Sequence, residues 1–328
     1  MFLGAHFGIA GGFAEAVAES RRIDAECVQI FSKSPQMWSG PPVSPEAAER
    51  FRAAVQEAQL RGTAVHHGYL LNLASPKPEM LARSREAFLD EIARADLLGV
   101  DALIFHPGAH LGAGTAAGIA TLVDSLDVAL EATPGSRTRI LLENAAGQGT
   151  TLCSSFEELA EVLGRAKYAS RLGVTLDTCH LFAAGFDLRT EDGYGALIDR
   201  IRGTIGEASV RAFHLNDAKA PLGSHLDRHE NIGRGEIGLV GFRRLMTDRR
   251  WDELPGYLET PLDDRDYARY AEDLATLRGL RGRRGRPRSA SPRAAASPAR
   301  AAARPANRRR RPAGPRSPAR AGPKVRAR

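Results

Sequence analysis

RILLENAAGQG, residues 139–149, is a short apolar run of β character that stops on a carboxylate, Glu143, and opens into a loop holding two glycines. The same arrangement recurs along the chain. Short apolar runs are expected as strands at 3–6, 28–31, 63–66, 102–106, 140–143, 174–177, 210–215 and 257–259. Between them lie stretches of helical character such as SPEAAERFRAAVQEAQLRG, PEMLARSREAFLDEIARADLLG and SSFEELAEVLGRAKYASRLG, several opened by Ser or Pro and closed by Gly. Eight strands alternating with helices over about 260 residues predict an α/β fold, a parallel (β/α)8 TIM barrel. An open doubly wound sheet is the alternative, because alternation alone does not prove closure.

The ends of these runs carry the chemistry. His66 ends the third, His106 the fourth, Glu143 the fifth, Asp177 the sixth, His214 the seventh and Glu259 the eighth. In a barrel the carboxyl ends of the strands converge on one face, where such enzymes hold their active sites. A lone His beside an apolar run is most often a hydrogen-bonded core residue. Six titratable groups at six consecutive strand ends do not fit that reading. Imidazole and carboxylate without cysteine suit zinc or manganese, and a carboxylate can bridge two ions. His180, three residues after Asp177, and the pair Asp227 and His229 in SHLDRHENIG raise the set to nine, enough for two or three ions. No G-x-S-x-G, P-loop or Rossmann glycine pattern is present.

Composition bounds the rest. A chain of 328 residues with 43% hydrophobic content can bury a large core. No run reaches the roughly 18 apolar residues of a membrane span, and MFLGAHFGIAGG lacks the features of a secretory signal. Three cysteines without a C-x-x-C pair argue against a disulfide framework or a cysteine-rich zinc module, so reduced thiols and a cytoplasmic location are expected. Charge is uneven. Residues 281–328 hold 17 of the 46 basic groups and no acidic one, which leaves 29 basic against 39 acidic groups in residues 1–280. The division expected is a barrel over 1–280 and a disordered Arg/Pro/Ala-rich tail over 281–328, either a flexible arm for a polyanion such as DNA or an unconstrained extension of a GC-rich gene.

The strings HHGYLLNL, FHPGAHL, LLENAAGQGTTL, LDTCHLFAAGFDL, FHLNDAK, GSHLDRHENIGRGEIG and LET resemble the endonuclease IV family of apurinic/apyrimidinic endonucleases, from GAHFGIAGG to about residue 278. That resemblance implies a trinuclear zinc site, in which manganese can substitute, that hydrolyses DNA on the 5′ side of an abasic site to leave a 3′-hydroxyl and a 5′-deoxyribose phosphate. It places His66, His106 and Glu143 around one ion, Glu143, Asp177, His214 and Glu259 around a second, and His180, Asp227 and His229 around a third. Glu143, as the bridge, is the expected catalytic residue. Clustered zinc would provide both a nucleophile and charge stabilisation, so no side-chain general acid is required.

By the same resemblance, loops after the second and third strands enter the minor groove, which assigns DNA contact to Gln36, Tyr69 and Leu70. For Tyr69 and Leu70, packing against the following helix is the structural alternative. Gln36 stands where the family usually has arginine. His6, His67 and His110 read as outer-shell or solvated residues, His225 as a neighbour of the ligands, and Cys179 as a small buried filler. The expected partner is double-stranded DNA with abasic sites, approached by a nucleoid-associated monomer with no membrane contact. A divalent-metal sugar isomerase or epimerase on the same barrel is the competing reading, and the third ligand set separates the two.

Overall fold

The computed structural model describes residues 1–263 and 267–281. Seven strands follow one another round a barrel: β1 (Phe2–Phe7), β2 (Cys27–Phe31), β3 (Thr63–His66), β4 (Ala102–Phe105), β5 (Arg139–Glu143), β6 (Leu172–Asp177) and β7 (Val210–His214). The loop after β7 folds a small antiparallel ribbon, β8 (Asp217–Ala218) with β9 (His229–Glu230). Strand β10 (Pro255–Leu258) then pairs in parallel with both β7 and β1 and closes the ring. Closure excludes the open doubly wound sheet. His106 and Glu259, expected as last strand residues, each sit one position beyond β4 and β10.

Helices fill the connections where the sequence signals place them. Ser44 caps the helix Pro45–Ala58 by accepting from the Ala47 amide, and Ser155 caps Phe156–Arg165 by accepting from Glu158. The long helix Pro78–Leu98 ends on Gly99 at φ 73°, a left-handed turn that glycine enters without strain. None of the helices among the described residues is long and apolar enough to cross a membrane.

Strand alternation builds two cores and, above one of them, a polar layer. Residues such as Ile140, Leu142, Val174 and Leu176 point outward and pack under the helices in the larger apolar cluster. Phe2, Cys27, Ala64, Ala102, Ile104, Leu141, Ala212 and Tyr257 point inward and plug the barrel. Two residues further along their strands come Gln29 after Cys27, His66 after Ala64, His106 after Ile104, Glu143 after Leu141, His214 after Ala212 and Glu259 after Tyr257. Each polar group is therefore the next inward position above an apolar floor.

The helix Ala268–Leu280 returns the chain to the opposite end of the barrel, where the Arg281 guanidinium meets the Met1 carbonyl and lies 3.6 Å from Glu26. The expected basic tail, beyond Arg281, lies outside the described residues.

Candidate metal centre

Glu143 is completely buried, and its two oxygens face two groups of side chains, with Oε1 also 3.3 Å from Nδ1 of His180 in a third. Its Oε2 lies 3.1 Å from Nε2 of His66 and 3.1 Å from Nε2 of His106. Its Oε1 lies 2.9 Å from Nδ1 of His214, which is also 3.4 Å from Glu259 Oε2 and 3.9 Å from Asp177 Oδ2. A third group sits beside them, with Asp227 offering Oδ2 to His180 Nε2 at 3.2 Å and Oδ1 to His229 Nε2 at 3.1 Å. In each of the sets His66–His106–Glu143, Glu143–Asp177–His214–Glu259 and His180–Asp227–His229 the donor atoms lie within 4.8 Å of one another. Ligands about 2.0–2.1 Å from a tetrahedral zinc stand roughly 3.4 Å apart, so most of these donors, now in direct contact, would need to part by only a few tenths of an ångström to take an ion between them.

The nine side chains thus fit the metal, and two further observations agree. Nε2 of His180 and Nε2 of His229 are buried without a hydrogen-bond partner, though each is aimed at Asp227. Carboxylates this crowded also need cations close by. Burial resists the charge on His214, but Glu143 and Glu259 outweigh it and push its pKa up to about 9. His229 is likewise buried, and its close approach to the Asp227 carboxylate with the charge of Asp177 pushes it up to about 9. Burial raises the Glu143 carboxyl, yet His214 and His106 hold it well below the carboxylate range. Glu259 and Asp227 are lowered by the same kind of pairing in spite of burial. Cys179 also comes close to Asp177 and His229, with its thiol pushed up to about 12 by burial and its Sγ facing the Arg228 carbonyl.

Local structure explains the spacing of the motifs. Asp177 caps the short helix Thr178–Ala183, its Oδ1 accepting from the His180 amide at 2.8 Å, so D-T-C-H places two candidate donors on one turn. Asp227 and His229 lie on a loop, and a second buried carboxylate holds that loop. Asp217 accepts from the amides of Gly233, Gly235, Ile237 and Gly238 at 2.9–3.3 Å. A Cβ at Gly235 would stand 2.4 Å from the Ala218 carbonyl and 2.6 Å from Asp217, which requires glycine there. Asp273 pins the other flank through Asn231 and Ile232.

The model family described as "Xylose isomerase-like TIM barrel" matches residues 17–280. A protein of Chloroflexus aurantiacus named "Probable endonuclease 4" is 42% identical over 277 residues, 84% of this chain and 97% of its own. The solved endonuclease IV of Thermus thermophilus superposes with a TM-score of 0.75 at 33% identity, covering 85% of this chain and 98% of that one. The chain belongs to the endonuclease IV family. A 3-keto-D-glucoside 4-epimerase from E. coli, at 15% identity and a TM-score of 0.62, shares the fold alone.

Beyond the nine ligand-type side chains, this endonuclease IV relative brings its second and third loops together. The Tyr69 amide donates to the Pro35 carbonyl, and Gly68 lies so close that a Cβ would meet that oxygen at 2.7 Å. Tyr69 is 63% exposed, with its ring edge-on to Phe31 at 5.8 Å, so it does not pack away under the following helix. Leu70 is half-buried beside it, and Gln36 is exposed on the neighbouring loop next to an exposed Met37. His225 turns its Nδ1 to the Ala146 carbonyl and joins none of the ligand groups. His67 is buried and held neutral, its pKa lowered to about 3 by burial and the charges of His66 and His106. Three buried amides were not singled out by motif. Gln29 joins His6, His214 and Glu259; Asn216 donates to Asp177 and accepts from the Glu259 amide; Asn144 accepts from the Asp177 amide. The signal for Gln29 was its inward position at the height of the ligands, two residues after Cys27.

Proposed function

We propose that this protein is a zinc-dependent DNA-repair endonuclease that hydrolyses the phosphodiester 5′ to an abasic site, leaving a 3′-hydroxyl and a 5′-deoxyribose phosphate. The observation that carries this reading is the third donor set, His180 with Asp227 and His229, beside the two sets joined through Glu143. Zinc bound there supplies a nucleophile at neutral pH and neutralises charge at the phosphate and the departing oxygen. The protein's own part is to hold the donors. Glu143 would serve the first two positions, Asp177, His214 and Glu259 would complete the second, and the third would stay open to solvent, since Asp227 and His229 are only partly covered.

A space of about 320 Å³ lies over the donors, lined by His66, His106, His180, Asp227, His229 and Glu259 with Tyr69 at its side, and the neighbouring cleft would take an extrahelical sugar. A space of about 290 Å³ runs from His106, His180 and Asp227 past Tyr69 and Leu70 to Asn72, Gly108 and Gln148. Tyr69 and Leu70 stand at its rim, where an aromatic ring and an aliphatic side chain can fill the gap left in a base stack. Gln36, exposed on the loop whose Pro35 carbonyl accepts from the Tyr69 amide, would be free to hydrogen-bond base edges. A monomer suffices, because every donor comes from one chain. The deciding experiment is incubation of the zinc-loaded protein with a duplex containing one tetrahydrofuran abasic analogue, which β-elimination cannot cleave. Nicking on its 5′ side to a 3′-hydroxyl end is expected, and an uncut duplex would overturn the reading.

A further inference from the structure

We propose that Gln29 is a positioning residue that selects the ring nitrogen His214 presents to the metal and fixes the Glu259 carboxylate at the same time; this rests on His214 and Glu259 being metal ligands. Three site histidines are oriented by backbone carbonyls. His66 Nδ1 bonds to the His67 carbonyl at 2.8 Å, His180 Nδ1 to that of Asn144 at 2.9 Å, and His229 Nδ1 to that of Glu259 at 3.2 Å. A carbonyl only accepts, so each of these rings is protonated on Nδ1 and keeps Nε2 for the centre.

His214 is turned the other way. Its Nδ1 faces Glu143 and Glu259, and its Nε2 lies 2.9 Å from Gln29 Oε1. An amide side chain, unlike a carbonyl, has two faces. With the amide reversed, His214 Nε2 would become the acceptor and the proton would move to Nδ1, blocking the nitrogen that points at the metal.

Glu259 prevents the reversal. An ionised carboxylate only accepts, and its Oε1 lies 2.6 Å from Gln29 Nε2, so the NH2 end must face it. The second amide hydrogen goes to His6 Nδ1 at 2.9 Å, across the β1–β2 pairing that sets His6 opposite Gln29. Both hydrogens and the oxygen are thereby used, and Gln29 is fully buried, so no water can substitute. The order of cause runs from the Glu259 anion to the Gln29 amide to the His214 tautomer. One side chain on β2 thus sets two ligands of one ion, carried on β7 and just beyond β10. Outer partners of metal ligands typically contribute 10- to 100-fold in affinity.

The test compares wild type with Gln29→Met, which keeps the volume and loses every hydrogen bond, and with Gln29→Glu, which keeps an acceptor for His214 and sets a carboxylate against Glu259. Zinc per chain is measured after equilibration with graded chelator, and the His214 ring is followed by long-range ¹H–¹⁵N correlation. Wild type should hold three ions with His214 protonated on Nε2. Gln29→Met should hold two ions firmly and the remaining one about 10–100-fold more weakly, with the Nε2 proton signature lost. Gln29→Glu should keep that signature and still weaken one ion, which separates positioning from mere packing and covers a misfolded Gln29→Met. Gln29→Met with three ions at wild-type affinity and an unchanged His214 ring would overturn the proposal. Wild type that fails to hold three ions would overturn the zinc reading instead, and the ring measurement on chelator-treated protein above pH 9, where the His214 ring is neutral, would still decide the role of Gln29.

Discussion

The central and outer donor sets are built by different means. Glu143, Asp177 and His214 are fully buried on the ends of adjacent strands, and β6–β7 pairing places Asp177 directly beside His214. Asp227 and His229 ride on a loop of more than twenty residues between β7 and the helix Gly238–Thr247, partly open to solvent. Barrel register positions the first group, so moving it means breaking the sheet. A local clamp positions the second, with Asp217 and Asp273 gathering backbone amides around the loop. The teaching is that rigidity at the outer set is local and separable, and mutations should expose this.

The largest loss is expected from Glu143→Gln, which removes the one carboxylate shared by two sets. Turnover on an abasic duplex should fall to about a thousandth of wild type or less, with bound zinc reduced by more than one ion. Retention of three ions would break the bridge assignment. Next, His229→Ala should remove one ion and most of the activity, while His225→Ala should leave three ions and turnover within about twofold. Equal behaviour of the two variants would erase the distinction drawn along SHLDRHENIG. Asp217→Ala tests the clamp alone. It leaves the buried Ile237 amide unpaired, at about 1–3 kcal/mol, and frees three more accessible glycine amides, so calorimetry should show a lower melting temperature, and the outer ion should weaken about 10–100-fold while the central ones hold.

The histidines add a pH arm. His214 and His229 have pKa values near 9 in the metal-free protein, above the ordinary 6.5, so their paired charge stabilises the fold fully below pH 6.5 and is lost as pH rises through 9. Metal requires the neutral rings, so stabilisation by zinc should grow over the same window. The gap in melting temperature between zinc-loaded and chelator-treated protein should widen from pH 6.5 to 9, and a constant gap would contradict the assignment. The smallest effect is expected from truncation after Leu280. Because Arg281 sits at the amino end of the barrel, away from the donors, single-turnover cleavage at saturating enzyme should be unchanged. DNA affinity at low salt should drop, with a shallower salt dependence.

Much of this was legible because strand ends in a barrel are a fixed address. Short apolar runs stopping on His66, Glu143 or Asp177 announce both a strand and its inward-facing tip, and the closed ring meets those positions to within a residue. Asp227 and His229 stood out as a polar pair in SHLDRHENIG, but preferring them to His225 took the resemblance, since nothing in loop composition says which polar groups fold back. Gln29 stayed hidden because an amide inside an apolar run carries no motif. Its role depends on neighbours from β1, β7 and β10 that are far apart in the chain. Asp217 lies within FHLNDAK, yet its service to four loop amides is a property of the folded loop rather than of the string.

The two-residue step from apolar floor to polar layer also sets where the chain tolerates a change in length. One residue inserted between Leu141 and Glu143 would swing the carboxylate out among the helix-facing side chains and bring an apolar group to the centre. The same insertion near Pro221 to Gly223, ahead of the DRH triplet, would lengthen an exposed turn while Asp217 still held the loop's far side. Insertions and deletions in this chain should therefore be confined to the rim, however freely the rim itself varies.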